Sequence, residues 1–117
     1  MSAGKTAVHQ LNVNDKALDL MIDAIAVLSR RERSFATLKD VVIEFLSQDL
    51  GQSGTHLTEF AGLLPLAGVN RVYLRLPSDN SAELDQLKVL LGTHTGKFCS
   101  VREAVCFCCV AITYTEK

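Results

Sequence analysis

No apolar run in this 117-residue chain reaches the ~18 to 20 residues that a membrane-spanning helix needs. The opening residues, Met1-Ser-Ala-Gly-Lys-Thr6, lack the apolar stretch of a secretion signal, so a cytoplasmic location and no membrane contact are expected. Basic excess is missing too. Twelve Lys and Arg stand against 13 Asp and Glu, a net charge of −1, whereas nucleic-acid-binding domains usually carry positive charge. The acidic excess lies in the first part, with six cations against eight anions in residues 1–63 and six against five in residues 64–117. Neither part is a polycation, so any phosphate binding must rest on a few placed groups and on helix N-termini.

The first 98 residues contain no cysteine. The four present are Cys99, Cys106, Cys108 and Cys109, and the last three lie too close along one predicted helix to pair with one another. Cys-x-Cys-Cys hints at a metal site, but His94 is outside that helix and no second cluster has ligand spacing, so the thiols read as small core residues. No metal and no cofactor is expected. Phosphate loops are lacking as well. Gly92-Thr-His-Thr-Gly-Lys-Phe98 is one residue short between its glycines and has Phe where Ser or Thr must reach magnesium, and Ala3-Gly-Lys-Thr6 has no strand or glycine loop before it. The three histidines are scattered, and no nucleophile and base can be paired, so the chain does not read as an enzyme.

What the chain does have is a repeated segment. Ser34-Phe-Ala-Thr-Leu-Lys-Asp-Val-Val42 matches Lys97-Phe-Cys-Ser-Val-Arg-Glu-Ala-Val105 in residue class, at a constant spacing of 63 (98 − 35). The same spacing lays Gln10-Leu-Asn-Val13 on Tyr73-Leu-Arg-Leu76. One spacing that spans a strand-like and a helix-like segment predicts a duplicated supersecondary unit. With 48% hydrophobic and 21% charged residues the chain is ordinary globular in composition. Units of about 50 residues bury too little surface to be secure alone, so the two copies are expected to share one core within a single domain, 1–117.

Each copy reads as strand, helix, helix. In Ala7 to Val13, His9, Leu11 and Val13 alternate with Val8, Gln10 and Asn12. Asn14 or Asp15 can cap a first helix with Leu18, Met21, Ile22, Ile25 and Leu28 as its apolar stripe, closing in Arg30-Arg31 before a polar turn, Arg31 to Ser34. Thr37 with Asp40 is a capping-box pair for a second helix that buries Leu38, Val41, Val42 and Phe45 and fades near Gly51. Residues 50–69 form a connection too apolar to be a free linker, with a helical turn expected around Thr58 to Leu63. In the second copy Val72, Leu74 and Leu76 alternate with Arg71, Tyr73 and Arg75, and Pro77 leads into a helix with Leu84, Leu87 and Leu91 inward. Ser100 and Glu103 repeat the capping-box spacing before Val101, Ala104, Val105, Cys108 and Ile112. His9 falls on the anchor face and reads as a satisfied core histidine.

Neither strand can satisfy its backbone alone, so the two should pair antiparallel over a four-helix body, putting Gln10 and Asn12 beside Arg71, Tyr73 and Arg75. A two-stranded ribbon fits the major groove of B-DNA, where Arg bonds guanine and Asn or Gln bonds adenine. On Arg71-Val-Tyr-Leu-Arg-Leu-Pro77 above all, the chain resembles the ribbon-helix-helix (MetJ/Arc) superfamily. Its two copies, 7–49 and 70–114, resemble the tandem accessory proteins of conjugative DNA transfer, of the TraY type and the T-DNA overdrive-binding type.

The resemblance implies a mainly α fold with a two-stranded antiparallel ribbon, a β-α-α unit repeated twice as a single-chain pseudo-dimer. It also implies phosphate contact at the turns before the second helices, at Ser34, Thr37, Lys97 and Ser100. It departs from the family pattern in strand one, where Val8 takes the place of Arg71, and in the first turn, which lacks the glycine present at Gly96. The expected function is sequence-selective binding of double-stranded DNA, as a DNA-transfer accessory factor or a transcriptional regulator, at a lopsided site with an A-rich half near copy one and a G-containing half near copy two. Further association of pseudo-dimers and a protein partner in a nucleoprotein complex fit the same reading. The competing expectation is a protein-interaction module, antitoxin-like or partner-docking, that has this architecture and weak DNA affinity, using the connection around Phe60 to Leu66.

Overall fold

The computed structural model describes residues 5–47 and 54–115, apart from the side chains of residues 54–56, 58 and 115. The architecture is mainly helical with one two-stranded antiparallel sheet. Strand β1 is Thr6–Val13, followed by helices α1 (Asp15–Glu32), α2 (Leu38–Leu46) and α3 (Gly54–Ala61). Strand β2 is Asn70–Pro77, followed by α4 (Ser78–Thr95) and α5 (Val101–Thr115).

Local chemistry sets most of these boundaries. Asn14 is the N-cap of α1, its side chain accepting from the amide of Ala17 at 2.8 Å. The helix runs through Arg31 and Glu32, past the start of the expected turn, because Arg30 and Arg31 suit the negative end of its dipole. Arg33 then closes it in the left-handed conformation, φ 59°. Thr37 and Asp40 form a complete capping box on α2, with Thr37 N–H donating to Asp40 Oδ2 at 2.9 Å and Asp40 N–H to Thr37 Oγ1 at 3.3 Å. That helix closes at Leu46, with Ser47 N–H bonding Ile43 C=O at 3.1 Å; Gly51 lies outside the described residues. Helix α4 ends in Gly96, also left-handed at φ 71°.

In the sheet, Val8 pairs with Arg75, Gln10 with Tyr73 and Asn12 with Arg71 on the outer face. His9 with Leu74 and Leu11 with Val72 lie on the inner face. The pair at the middle, Gln10 and Tyr73, is also 63 residues apart. The same separation links the starts of α1 and α4, the left-handed residues Arg33 and Gly96, and the residues preceding α2 and α5, Thr37 and Ser100.

Helix α5 is the axis of the core. Every residue from Glu103 to Ile112 is buried, so the single stripe expected from Val101, Ala104, Val105, Cys108 and Ile112 widens to the full circumference. A helix that is apolar all round belongs inside, and here α1, α2, α3 and α4 all pack on it. Phe107 stands edge-on to Phe45 and Phe60, at centroid distances of 5.7 and 5.4 Å. The stripe of α1 is also rotated from expectation. Ala17, Met21, Ala24 and Leu28 are buried, whereas Ile22 is 54% exposed. Ala17 and Ala24 are fully buried, so the helix backbone lies close to what packs on it there, and larger side chains at those positions would push it away.

The described part of the connection, residues 54–69, is packed on the body, and in place of a single turn around Thr58 to Leu63 it forms α3. Phe60 and Leu66 are fully buried. Asn14 N–H bonds Leu66 C=O at 2.8 Å, Asn14 Nδ2 bonds Pro65 C=O at 2.9 Å and Lys16 Nζ bonds Leu63 C=O at 2.6 Å, tying the segment to the β1–α1 junction. Gly68 is required at this crossing, since a Cβ there would lie 2.3 Å from Asn14 Cα.

Candidate nucleic-acid interface

Period-two alternation divides the ribbon cleanly. Leu11, Val13, Leu74 and Leu76 are buried, and Thr6, Val8, Gln10, Asn12, Arg71, Tyr73, Arg75 and Pro77 are exposed. All five residues expected to read bases therefore lie on one face, which contains two arginines and no carboxylate. The chain's net charge of −1 does not describe this surface. Directly opposed side chains on one face lie about 4.5–5.5 Å apart at Cβ, so Tyr73, 62% exposed, stands beside Gln10, and Asn12 beside Arg71. Arg75 has Val8 as its neighbour. Among the described residues the side chains of Arg71 and Arg75 take no hydrogen bond or ion pair. His9 is on the inner face, half-buried, sharing a 3.1 Å hydrogen bond between Nε2 and Ser81 Oγ.

The four residues expected at phosphates divide into two kinds. Ser34 and Lys97 are exposed in the turns. Thr37 and Ser100 are engaged by carboxylates of their own helices: Thr37 Oγ1 donates to Asp40 Oδ2 at 3.1 Å, and Ser100 donates to Glu103 Oε1 from its hydroxyl at 2.5 Å and from its amide at 2.8 Å. Glu103 is buried, and Arg102 Nε bonds its other oxygen at 2.8 Å. Burial pushes the Glu103 carboxyl upward, but the Ser100 hydroxyl, the Ser100 amide and Arg102 outweigh it and hold the group below its ordinary value. Helices α2 and α5 thus each begin with a carboxylate of their own at the cap.

Two aromatic side chains outside the expected site are almost fully exposed, Phe35 (98%) and Phe98 (86%). Phe35 shares a hollow with Arg30 and Arg33, and Phe98 shares one with Lys97 and Arg102. The repeat marked the two phenylalanines as a pair, yet neither belongs to a helical stripe, and that mismatch was the available signal. The apolar connection, by contrast, is consumed by the core at Phe60 and Leu66, leaving Leu63 and Leu64 half-buried.

All four cysteines are free and buried. Burial pushes the Cys106 thiol up to about 12 and raises Cys108 and Cys109 as well, so none of these three forms a thiolate readily at neutral pH. Among the described residues no group of three His, Cys, Asp or Glu could hold a metal ion, and no helix is long and apolar enough to cross a membrane. Protein-family models, curated proteins and solved structures give no match to this chain.

Proposed function

We propose that the chain is a sequence-selective, double-stranded DNA-binding protein of tandem ribbon-helix-helix form, its two units spanning 7–49 and 70–114 and joined by the packed connection 50–69. The observation that carries this reading is the carboxylate-free outer face of the ribbon, with Gln10, Asn12, Arg71, Tyr73 and Arg75 side by side. Two strands about 4.8 Å apart with their side chains fit a major groove about 12 Å wide. The duplication is supported by the register, because the pair at the ribbon's centre, Gln10 and Tyr73, is related by the same spacing as the two capping residues and the two left-handed helix ends. A pseudo-two-fold axis through that pair gives one chain the symmetry of a dimer.

The register also revises the site that such a protein would select. Strands that lie side by side do not read separate halves; each end of the ribbon takes one residue from each strand. One end presents Asn12 with Arg71, suited to adenine and guanine, and the other presents Val8 with Arg75, suited to a thymine methyl and guanine. Guanine is thus expected toward both ends of the site, and the lopsidedness lies in the neighbouring base. Lys97 and Ser34 are assigned to phosphates, with Thr37 and Ser100 holding the helix starts in place. Accessory work in DNA transfer and transcriptional regulation both use such binding.

Selection of bound duplexes from a random pool tests the reading. It should enrich an asymmetric sequence with guanine toward both ends, with affinity falling as salt rises at a slope of about −0.9 per phosphate contact. Arg75→Ala should cost about 1–3 kcal/mol and relax preference at one end only. No enrichment, together with unchanged residual binding by Arg71→Ala/Arg75→Ala, would sink it.

A further inference from the structure

The two free edges of the ribbon differ. In a strand each residue turns its N–H and C=O to one side, and the side alternates along the chain. Asn14 N–H bonds Leu66 C=O at 2.8 Å and Gly68 N–H bonds Asn12 C=O at 3.3 Å, so the even-numbered residues of β1 face away from β2. Val8 and Gln10 therefore aim their N–H and C=O groups at the outer edge, where no described residue bonds them. Unpaired edges are templates for another strand unless Pro, a charge or a covering segment blunts them. Among its outward-facing residues β2 has Pro77, which has no N–H, and the charged Arg71 and Arg75. At Val8 and Gln10, β1 has no such device.

The connection has already started a third strand on this edge, through an antiparallel bridge between Ala67 and Val13. Beyond the bridge a groove of about 380 Å³ runs along Val8 to Asn12, walled by Lys88, Phe98, Val101 and Arg102, and none of its lining residues is Asp or Glu. Lys88 pairs with Asp85 at 3.2 Å. Arg102 bonds Glu103 through Nε and the Asn12 carbonyl through Nη1 at 3.4 Å. An ammonium has three donors and a guanidinium five, so both cations have capacity left.

We propose that this groove takes an extended, acidic peptide segment of a partner protein, added as a strand to the free edge of β1. The edge offers donors and acceptors in alternation at Val8 and Gln10. A peptide backbone answers both, whereas a nucleic-acid phosphate can only accept. Carboxylates on the incoming strand meet Lys88 and Arg102, and an apolar side chain covers Phe98. The site shares Val8 and Gln10 with the outer ribbon face but uses their backbone groups where that face uses side chains, so it stands whether or not that face reads DNA.

The test is a displayed library of random short peptides panned on the full chain. Enriched peptides should be acidic, and one of them, added to labelled protein, should shift the Val8 and Gln10 amides and slow their hydrogen exchange. Val8→Pro removes one outward donor and should abolish the protection of the Gln10 amide. Phe98→Ala should weaken the peptide about tenfold or more, the range set by burying a Phe side chain. Lys88→Glu should weaken acidic peptides and spare neutral ones. The proposal is overturned if no peptide is enriched, if the enriched ones carry no acidic bias, or if their amide shifts map elsewhere. It is equally overturned if a DNA duplex, and no peptide, protects these two amides. Should Val8→Pro fail to fold, the amide map together with Phe98→Ala decides.

Discussion

Helices α2 and α5 start on the same chemistry, a hydroxyl residue with a carboxylate three positions on, and then meet different surroundings. Along α2 the residues Ile43 and Glu44 are half-exposed, and Glu44 holds Arg31 at 2.8 Å. In α5 the position 63 residues after Glu44 is Phe107, fully buried between Phe45 and Phe60. One helix closes the margin of the body, and the other is its centre. Matching residue classes therefore do not imply matching energetic weight. Two helices with matching caps need not share the core equally, since one continuous core requires only that some helix be surrounded.

The sharpest way to break this contrast is to truncate the matched pair. Phe107→Ala should cost about 3–5 kcal/mol, the range for removing a buried aromatic side chain. Glu44→Ala should cost at most about 1 kcal/mol, because its ion pair is partly exposed and screened. Denaturant titration of the two variants measures both, and near-equal losses would mean that α5 is not the centre of the core. The two caps extend the comparison at smaller scale. Glu103→Gln removes charge-assisted bonds from a buried carboxylate and should cost about 1.5–3 kcal/mol, whereas Asp40→Asn in the exposed box should cost about 0.5–1 kcal/mol.

Glu103 also carries a pH signature. Its folded pKa lies below the ordinary 4.5, so its contribution is complete above that value and is lost as pH falls through the lower, folded value. The melting temperature of the wild type should fall more steeply below pH 4.5 than that of Glu103→Gln. Parallel curves for the two proteins would place the cap's stabilisation elsewhere.

Strand alternation, both capping pairs and the inward leucines of α4 were legible because each depends on neighbours within a few residues. Leu84, Leu87 and Leu91 are all fully buried, as their spacing predicts. What was not legible depends on contacts distant in the chain. Large apolar residues such as Ile22 dominate a periodicity count, but the buried face of α1 includes Ala17 and Ala24, which pass for filler in a sequence. The full burial of α5 was hidden for a similar reason, since spacing alone assumes that a helix has a wet side. For the candidate site, the outer-face residues could be named from the alternation, yet their partners could not. Whether Arg75 stands beside Val8 or Asn12 is a matter of register, and that comes from how both strands seat on the helices.

The smallest expected effect concerns the two helix ends, where the same backbone conformation is held by unlike residues. Gly96 adopts φ 71° with nothing within 4 Å of where a Cβ would sit, so space is no constraint there and only conformational preference matters. Arg33 adopts φ 59° with a full side chain, against a preference worth about 1–2 kcal/mol in non-glycine residues. Arg33→Gly should therefore stabilise the fold, by about 1 kcal/mol at most, because glycine's extra freedom in the unfolded chain offsets part of the relief. Gly96→Arg should destabilise it by about 1 kcal/mol, bringing the second turn to the condition of the first. Thermal melts of the two variants give opposite signs if backbone conformation is the governing term. A loss of stability in Arg33→Gly would instead show that the Arg33 side chain, next to Phe35 in the hollow that also includes Arg30, stabilises the turn by more than its backbone conformation costs.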